Sequence, residues 1–409
     1  MSRNAKSTGN AGGSNTAEQP DNALVNGSGD GWLLDEFKVG DVFFTSPTLQ
    51  HRAWGNAGVI SAHVPASSDA IASLFDQARE RGIQEPVLFG LVPFDTRRPA
   101  SLGIPLQCQS LATPSAKAST RSQAERPVIV EKTPVPAPEV YGDMVRSALE
   151  IFAQGDVNKI VLSRTMDVTL DRPLDYGHVL PDLLGRNAKG YTFALPVWSS
   201  EAEDRPAMMV GASPELLVRR EGETIFVNPL AGSIGRHPDP KTDEARRAGL
   251  AVSEKDLREH SYVVEDIVRI LREHCDELQV PEGPSVIGTD ALWHLSTFIT
   301  GRLRDSSMTA LELACALHPT PAICGYPTAG AFEQIMKLEP FDRGYFTGLV
   351  GWQRENGDGE WALTLRCALH DGANRLRLYA GAGTVAGSDP QSEITETATK
   401  METFMRAIA

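Results

Sequence analysis

Three side chains near the C-terminus have the types and spacing to do chemistry together. Glu393, Glu396 and Lys400 fall at i, i+3 and i+7, which on a helix stacks them on one face. A helix start lies just ahead of them, because Asp389 or Ser388 can cap and Pro390 suits the first turn. The face is not simply solvated: Ile394, Ala398, Met401, Phe404, Met405 and Ile408 form an apolar arc that begins beside the acids. Upstream, Tyr379-Ala-Gly-Ala-Gly383 reads as a small-residue loop after a strand. Such a glycine pair serves a turn as readily as an anion cradle. Two carboxylates at the edge of a buried face, beside small residues, suit a hard divalent cation that holds an anionic ligand.

A third acid has the same character. The helix expected over about 259–279 has Val263, Ile267, Ile270, Leu271, His274 and Leu278 as its buried stripe, and Glu259 extends that stripe four residues back. A carboxylate on a core face must be compensated or protonated, which makes Glu259 a candidate metal ligand; the alternative is an acid that only complements the first turn of its helix. Two further residues are ambiguous by type alone. Lys159 opens the strand Lys159-Ile-Val-Leu-Ser-Arg164, where a lysine ordinarily faces solvent, and Glu215 in Ser213-Pro-Glu-Leu-Leu217 has the look of a turn acid or cap.

The elements that must position these residues follow from periodicity. Strands are expected at Asp41–Thr45, Pro86–Val92, Tyr191–Pro196, near Met208–Gly211, over the hairpin Leu217–Arg220 with Thr224–Asn228, and at Leu292–Phe298. Three more, Gly344–Trp352, Trp361–Leu369 and Arg375–Ala380, are joined by turns at Asn356-Gly357 and Asp371-Gly372. Helices are expected over Ser67–Arg81, Pro138–Gln154, Leu174–Leu184 and Thr309–Leu317. Antiparallel strands in groups with helices between them indicate an α+β fold. No internal repeat, phosphate loop or dinucleotide fingerprint is present.

Composition narrows the function class. A chain of 409 residues with 41% hydrophobic content can bury a large core, and a formal charge of −14 argues against nucleic acid or an anionic membrane as partner. An anionic substrate would therefore need local compensation from metal, arginine or backbone N–H groups. Five cysteines without a C-x-x-C pair argue against a disulfide framework or zinc ribbon, and the chain is expected in the cytoplasm. Residues 1–30, rich in Ser, Asn, Gly and Asp, are expected as a disordered leader. Residues 31–107 form an N-terminal part, 108–138 a Ser/Ala/Thr/Pro-rich surface loop, and 139–409 the motif-bearing core.

The motifs taken together resemble the chorismate-utilising enzymes. The resemblance is carried by Lys159–Arg164, Ser213–Leu217, Pro229-Leu-Ala-Gly-Ser233, Glu259-His260, His318-Pro-Thr-Pro-Ala322, Arg343-Gly-Tyr-Phe-Thr-Gly348, Leu365-Arg-Cys367 and 381–400, in that order. It is nearest to isochorismate synthases of the siderophore type. It implies a single large domain of two packed, mainly antiparallel sheets flanked by helices, and a Mg2+ site. It implies that Glu259 and Glu396 hold the metal, with Glu393 as a further ligand, and that Lys159 is the general base and Glu215 the general acid. For that role the lysine must be partly neutral and the glutamate protonated near neutral pH. Arg366, Gly381, Ala382, Gly383 and Lys400 would bind substrate carboxylate, and Tyr379, His294, Ala322, Ile323, Gly232 and Ser233 would line the pocket. Ala231 stands where aminodeoxychorismate synthases resemble one another in having a nucleophilic lysine, and Val263-Val-Glu-Asp-Ile-Val-Arg-Ile270 lacks the Arg-Asn-Asp usual in anthranilate and aminodeoxychorismate synthases, so no glutamine amidotransferase partner is implied, and the expected state is a monomer. Salicylate synthase, which keeps the same acid and base, and a non-catalytic chorismate-binding relative are the alternatives.

Overall fold

The computed structural model describes residues 31–55, 60–198, 206–289 and 292–408; the expected leader, 1–30, lies outside them. Two large sheets carry the architecture. One has ten strands in the spatial order Gly325–Tyr326, Lys159–Leu170, Arg375–Val385, Cys367–His370, Met208–Ser213, Tyr191–Pro196, Val42–Thr45, Leu49–Trp54 and Gln107–Ala112, with Ile129–Val135 also paired to Lys159–Leu170. The other has nine, in the order Cys275–Gln279, Ile299–Leu303, Thr224–Asn228, Leu216–Glu221, Gly359–Leu363, Leu349–Arg354, Val87–Val92, Ala100–Ile104 and Ile60–Val64. A small third sheet joins Leu230–Gly235, Leu292–Ser296 and Ser285–Gly288.

Strand alternation shows how the sheets pack. In Met208–Ser213, Met209 points into a cluster with Phe44, Phe89, Phe193 and Val350, drawn from both large sheets. Its neighbour Val210 points the other way, onto Val179, Leu183, Phe404 and Ile408. The first cluster is the core between the sheets, and the second is where the helices Tyr176–Arg186 and Pro390–Ile408 cover the outer face. The nine-stranded sheet is covered by Ser68–Glu80, Ala310–Leu317 and Glu254–His274 through Leu74, Leu313 and Ile267. Helices on the outside and apolar side chains between the sheets give the expected α+β fold of two packed sheets.

Several sequence expectations change. Gly381, Ala382 and Gly383 do not form a loop after a strand; they lie inside Arg375–Val385, opposite Ser163, Leu162 and Val161. The turn comes later, at Gly387 with φ +89°. The stretch 108–138 contains strand at both ends, Gln107–Ala112 and Ile129–Val135. Both sit at sheet edges and carry partly exposed side chains, so they lack the apolar alternation that marks a half-buried strand. The helix expected to begin at Glu259 begins at Glu254, where the Ser253 hydroxyl accepts from Asp256 N, and it ends at His274. Leu278 then belongs to a strand.

Candidate active site

One cleft gathers nearly all the singled-out residues. Its walls include Glu215, Gly232, Ser233, Glu259, His294, Ala322, Ile323, Arg366, Tyr379, Gly381, Gly383, Glu393, Glu396 and Lys400. Two do not line it. Ala382 alternates to the opposite face of its strand. Lys159 lies just beneath the surface, fully buried, with Nζ 2.8 Å from Glu259 Oε1 at ion-pair distance but without hydrogen-bond geometry. Gly383 makes that approach possible, because a Cβ there would stand 2.7 Å from Glu259 Oε1 and 3.2 Å from Lys159 Cε.

Each wall is positioned by a nameable cause. His260 pins the start of the Glu254–His274 helix to the third sheet, with Nδ1 3.1 Å from Ala231 O and Nε2 2.7 Å from Thr297 Oγ1. That places the adjacent Glu259 over the cleft. Asp389 caps the C-terminal helix by accepting from Ser392 N at 2.8 Å, and the helix then presents Glu393, Glu396 and Lys400 to the cleft as the spacing predicts. Lys400 Nζ bridges Glu396 Oε1 at 2.6 Å and Gly381 O at 2.9 Å. Tyr379 is held by a stacked Phe346, centroids 5.0 Å apart.

The electrostatics divide the acids. Glu215 is 4% exposed, and burial pushes its carboxyl up to about 8, although it accepts from Leu230 N at 3.2 Å and feels Lys159. It is therefore a proton donor at neutral pH. Glu393 is pushed up to about 7 by burial and then by the charge of Glu396. Burial acts the same way on Glu396 but is outweighed by Lys400, Lys255 and Lys159, which hold it below the usual carboxylate range. Asp256 is raised by burial and by the charges of Glu259 and Glu396. Crowded acids of this kind are short of positive charge.

On the cationic side, Arg366 adopts a left-handed φ of +46°. Its Nη2 donates to His294 Nε2 at 3.1 Å. Burial holds Arg366 down to about 10, still charged at neutral pH. Burial and the neighbouring Arg366 charge keep His294 far below the ordinary histidine range, hence neutral. Among the described residues no carboxylate reaches Arg366, so its charge is open to an incoming anion.

The donor set fits a hard divalent ion, since the inward-facing acids offer only oxygen. Among the described residues they do not close into a group of three ligands. Mg2+ takes one or two carboxylates and completes its shell with water and substrate oxygen. Lys255 and Asp256 also line the cleft and were missed, because an N-cap at Ser253 was not read from the sequence. Phe346 and Thr347 were passed over as parts of a motif with no chemistry of their own. All five cysteines are free, and no helix among the described residues is long and apolar enough to cross a membrane.

Residues 74–409 match the model of a family described as chorismate binding enzyme. The chain belongs to the chorismate-binding enzymes. It is 43% identical to isochorismate synthase DhbC of Bacillus subtilis over 381 residues, 92% of this chain and 95% of that one. It is 42% identical to isochorismate synthase EntC of Escherichia coli over 340 residues, 82% of this chain and 84% of that one. Among solved structures, DhbC of Bacillus anthracis, provisionally assigned as a 2,3-dihydroxybenzoate-specific isochorismate synthase, superposes with a TM-score of 0.85. It has 42% identity and covers 91% of this chain and 98% of that one. The fold of this chorismate-binding enzyme is thus that of the structurally known relatives.

Proposed function

We propose that this chain converts chorismate to isochorismate with Mg2+, and that the product feeds 2,3-dihydroxybenzoate and catechol siderophore synthesis. The observation that carries the reading is a buried acid held neutral, Glu215, in the wall of a cleft that also holds the open cation Arg366, with the buried lysine Lys159 directly beneath that cleft. The relatives named DhbC and EntC support the same activity, and the specificity assigned to the Bacillus anthracis protein supports the siderophore branch.

The reaction exchanges one hydroxyl for another. Water loses a proton to Lys159 Nζ, acting in its neutral amine form, as its oxygen bonds ring C2. Both ring double bonds shift by one position, the C4–O bond breaks, and Glu215 gives its proton to the departing hydroxyl, which leaves as water. Arg366 and Lys400 bind the enolpyruvyl carboxylate. Glu259 and Glu396 would hold Mg2+, with Glu393 acting through water. The bound ion would supply the positive charge that orients the ring carboxylate. Ala231 lines the cleft at the position where aminodeoxychorismate synthases resemble one another in having a nucleophilic lysine, so no lysine nucleophile stands there. Incubation with chorismate and Mg2+ followed by product separation tests the reading. Isochorismate is expected, its absence overturns the proposal, and salicylate with pyruvate would favour the lyase alternative. Glu396→Gln is expected to shift the Mg2+ titration to higher concentration; an unchanged titration removes the metal assignment.

A further inference from the structure

The strand that carries Lys159 has a gap along its outer edge. Gly325–Tyr326 pairs with Ile160 and Lys159, and Ile129–Val135 takes over from Thr165 onward. Residues 161–164 have no strand neighbour on that side. Backbone groups left there without partners, in a buried segment, would be costly.

Cys324 O accepts from Val161 N at 2.8 Å, and one ion pair fills the rest of the gap. Glu339 Oε1 accepts from Ser163 N at 2.8 Å, and Arg343 Nη2 donates to Val161 O at 2.6 Å, so the two side chains stand in for the missing strand. The remaining Arg343 donors are all engaged. Nε and Nη2 meet the two Glu339 oxygens at 2.8 and 2.6 Å, and Nη1 meets Ile323 O at 3.0 Å and Thr347 Oγ1 at 3.1 Å. Ile323, Thr347 and Val161 all line the cleft. Thr347 holds a left-handed φ of +57°, a conformation a β-branched residue keeps only where its surroundings over-determine it.

We infer that Glu339 and Arg343 are positioning residues for the reaction. From outside the cleft they fix the segment just after Lys159 and also hold Ile323 O and Thr347 Oγ1. The inference rests on the function proposed above. Arg343 touches no reacting atom, so its loss should leave substrate affinity nearly intact while misplacing the base. A lysine cannot reproduce the planar fork that serves four partners at once.

The test uses the full chain with Arg343→Lys and, should that variant fold poorly, Glu339→Gln, which keeps one acceptor oxygen and replaces the other, with its charge, by an amide NH2. Expected results are a fall in kcat of about 10- to 100-fold, a KM for chorismate within about 2-fold of wild type, and faster amide exchange confined to residues 161–164. Wild-type kcat in a folded variant would overturn the inference. So would losses in kcat that merely track a uniform rise in exchange across the chain. Should the wild-type enzyme not turn over chorismate, the proposed function fails. Exchange at Ser163 would still report separately whether the pair holds the strand, and unchanged exchange there in both variants sinks the positioning role.

Discussion

Arg343 and Arg366 are both withdrawn from bulk water, and they are satisfied very differently. Arg343 places every N–H on an acceptor and lies over Phe94, with its guanidinium carbon 4.3 Å from the ring centroid. Arg366 donates to one neutral histidine nitrogen and meets no carboxylate among the described residues. Burying a cation is costly unless it is paired and hydrogen-bonded. A saturated cation therefore reports architecture, and an unsaturated one reports a place kept for a ligand. The same contrast separates the cleft acids, which crowd one another, from Glu339, whose oxygens are all engaged by Arg343 and Ser163.

The largest effect that could break this contrast is at the base. Lys159→Ala is expected to lower kcat by about 10²- to 10⁴-fold while the protein still binds chorismate, measured by isochorismate formation and by ligand-induced thermal stabilisation. Turnover at the wild-type rate would remove Lys159 from the mechanism. Next is the open cation. Arg366→Gln removes a charge-assisted hydrogen bond worth roughly 1.5–3 kcal/mol, so KM for chorismate should rise by about 10- to 100-fold with a smaller change in kcat. An unchanged KM would mean that the unsaturated arginine is not the anion site. A third, smaller effect follows from pH. Because Glu215 must be protonated to donate and titrates at about 8, kcat should fall as pH rises through about 8, by up to tenfold per unit. A profile flat to pH 10 would exclude it as the acid.

Legibility in the sequence followed the length of the signal. The C-terminal helix and its acid face could be read because a cap, a proline and a 3.6-residue period coincide over nineteen residues. Lys159 could not be read as buried from its own strand, since its burial depends on Glu259, about a hundred positions later, and on Gly383 opposite. Gly381 and Gly383 looked like a loop because glycine is rare inside strands; their role is to clear room for Ser163 Oγ and Glu259, which only the pairing register reveals. The third sheet was read only in part. Its central strand, Leu292–Ser296, falls within the strand expected at Leu292–Phe298, whereas Ser285–Gly288 is too short for an alternation pattern and Leu230–Gly235 carries too few apolar residues to show one.

The smallest prediction sharpens what a raised carboxyl means. Glu360, in the strand Gly359–Leu363, is 2% exposed and lines no part of the cleft. Burial pushes it up to about 7, with the Ser46 hydroxyl and the Arg219 charge offsetting only part of that and Glu221 adding to it. An unfolded glutamate titrates near 4.5, so between about 4.5 and 7 the folded state holds the extra proton. Stability from this group is complete below 4.5 and is lost as pH rises through about 7. Glu360→Gln, which stays neutral, should therefore flatten that part of the stability curve. It should also raise the alkaline melting temperature, by an energy on the order of 3 kcal/mol at most, or a few degrees in a chain of this size. Activity at pH 7 should be unchanged, whereas Glu215→Gln should abolish it. If Glu360→Gln instead lost activity without losing stability, burial alone would no longer separate an architectural acid from a catalytic one, and position at the cleft would have to be tested residue by residue.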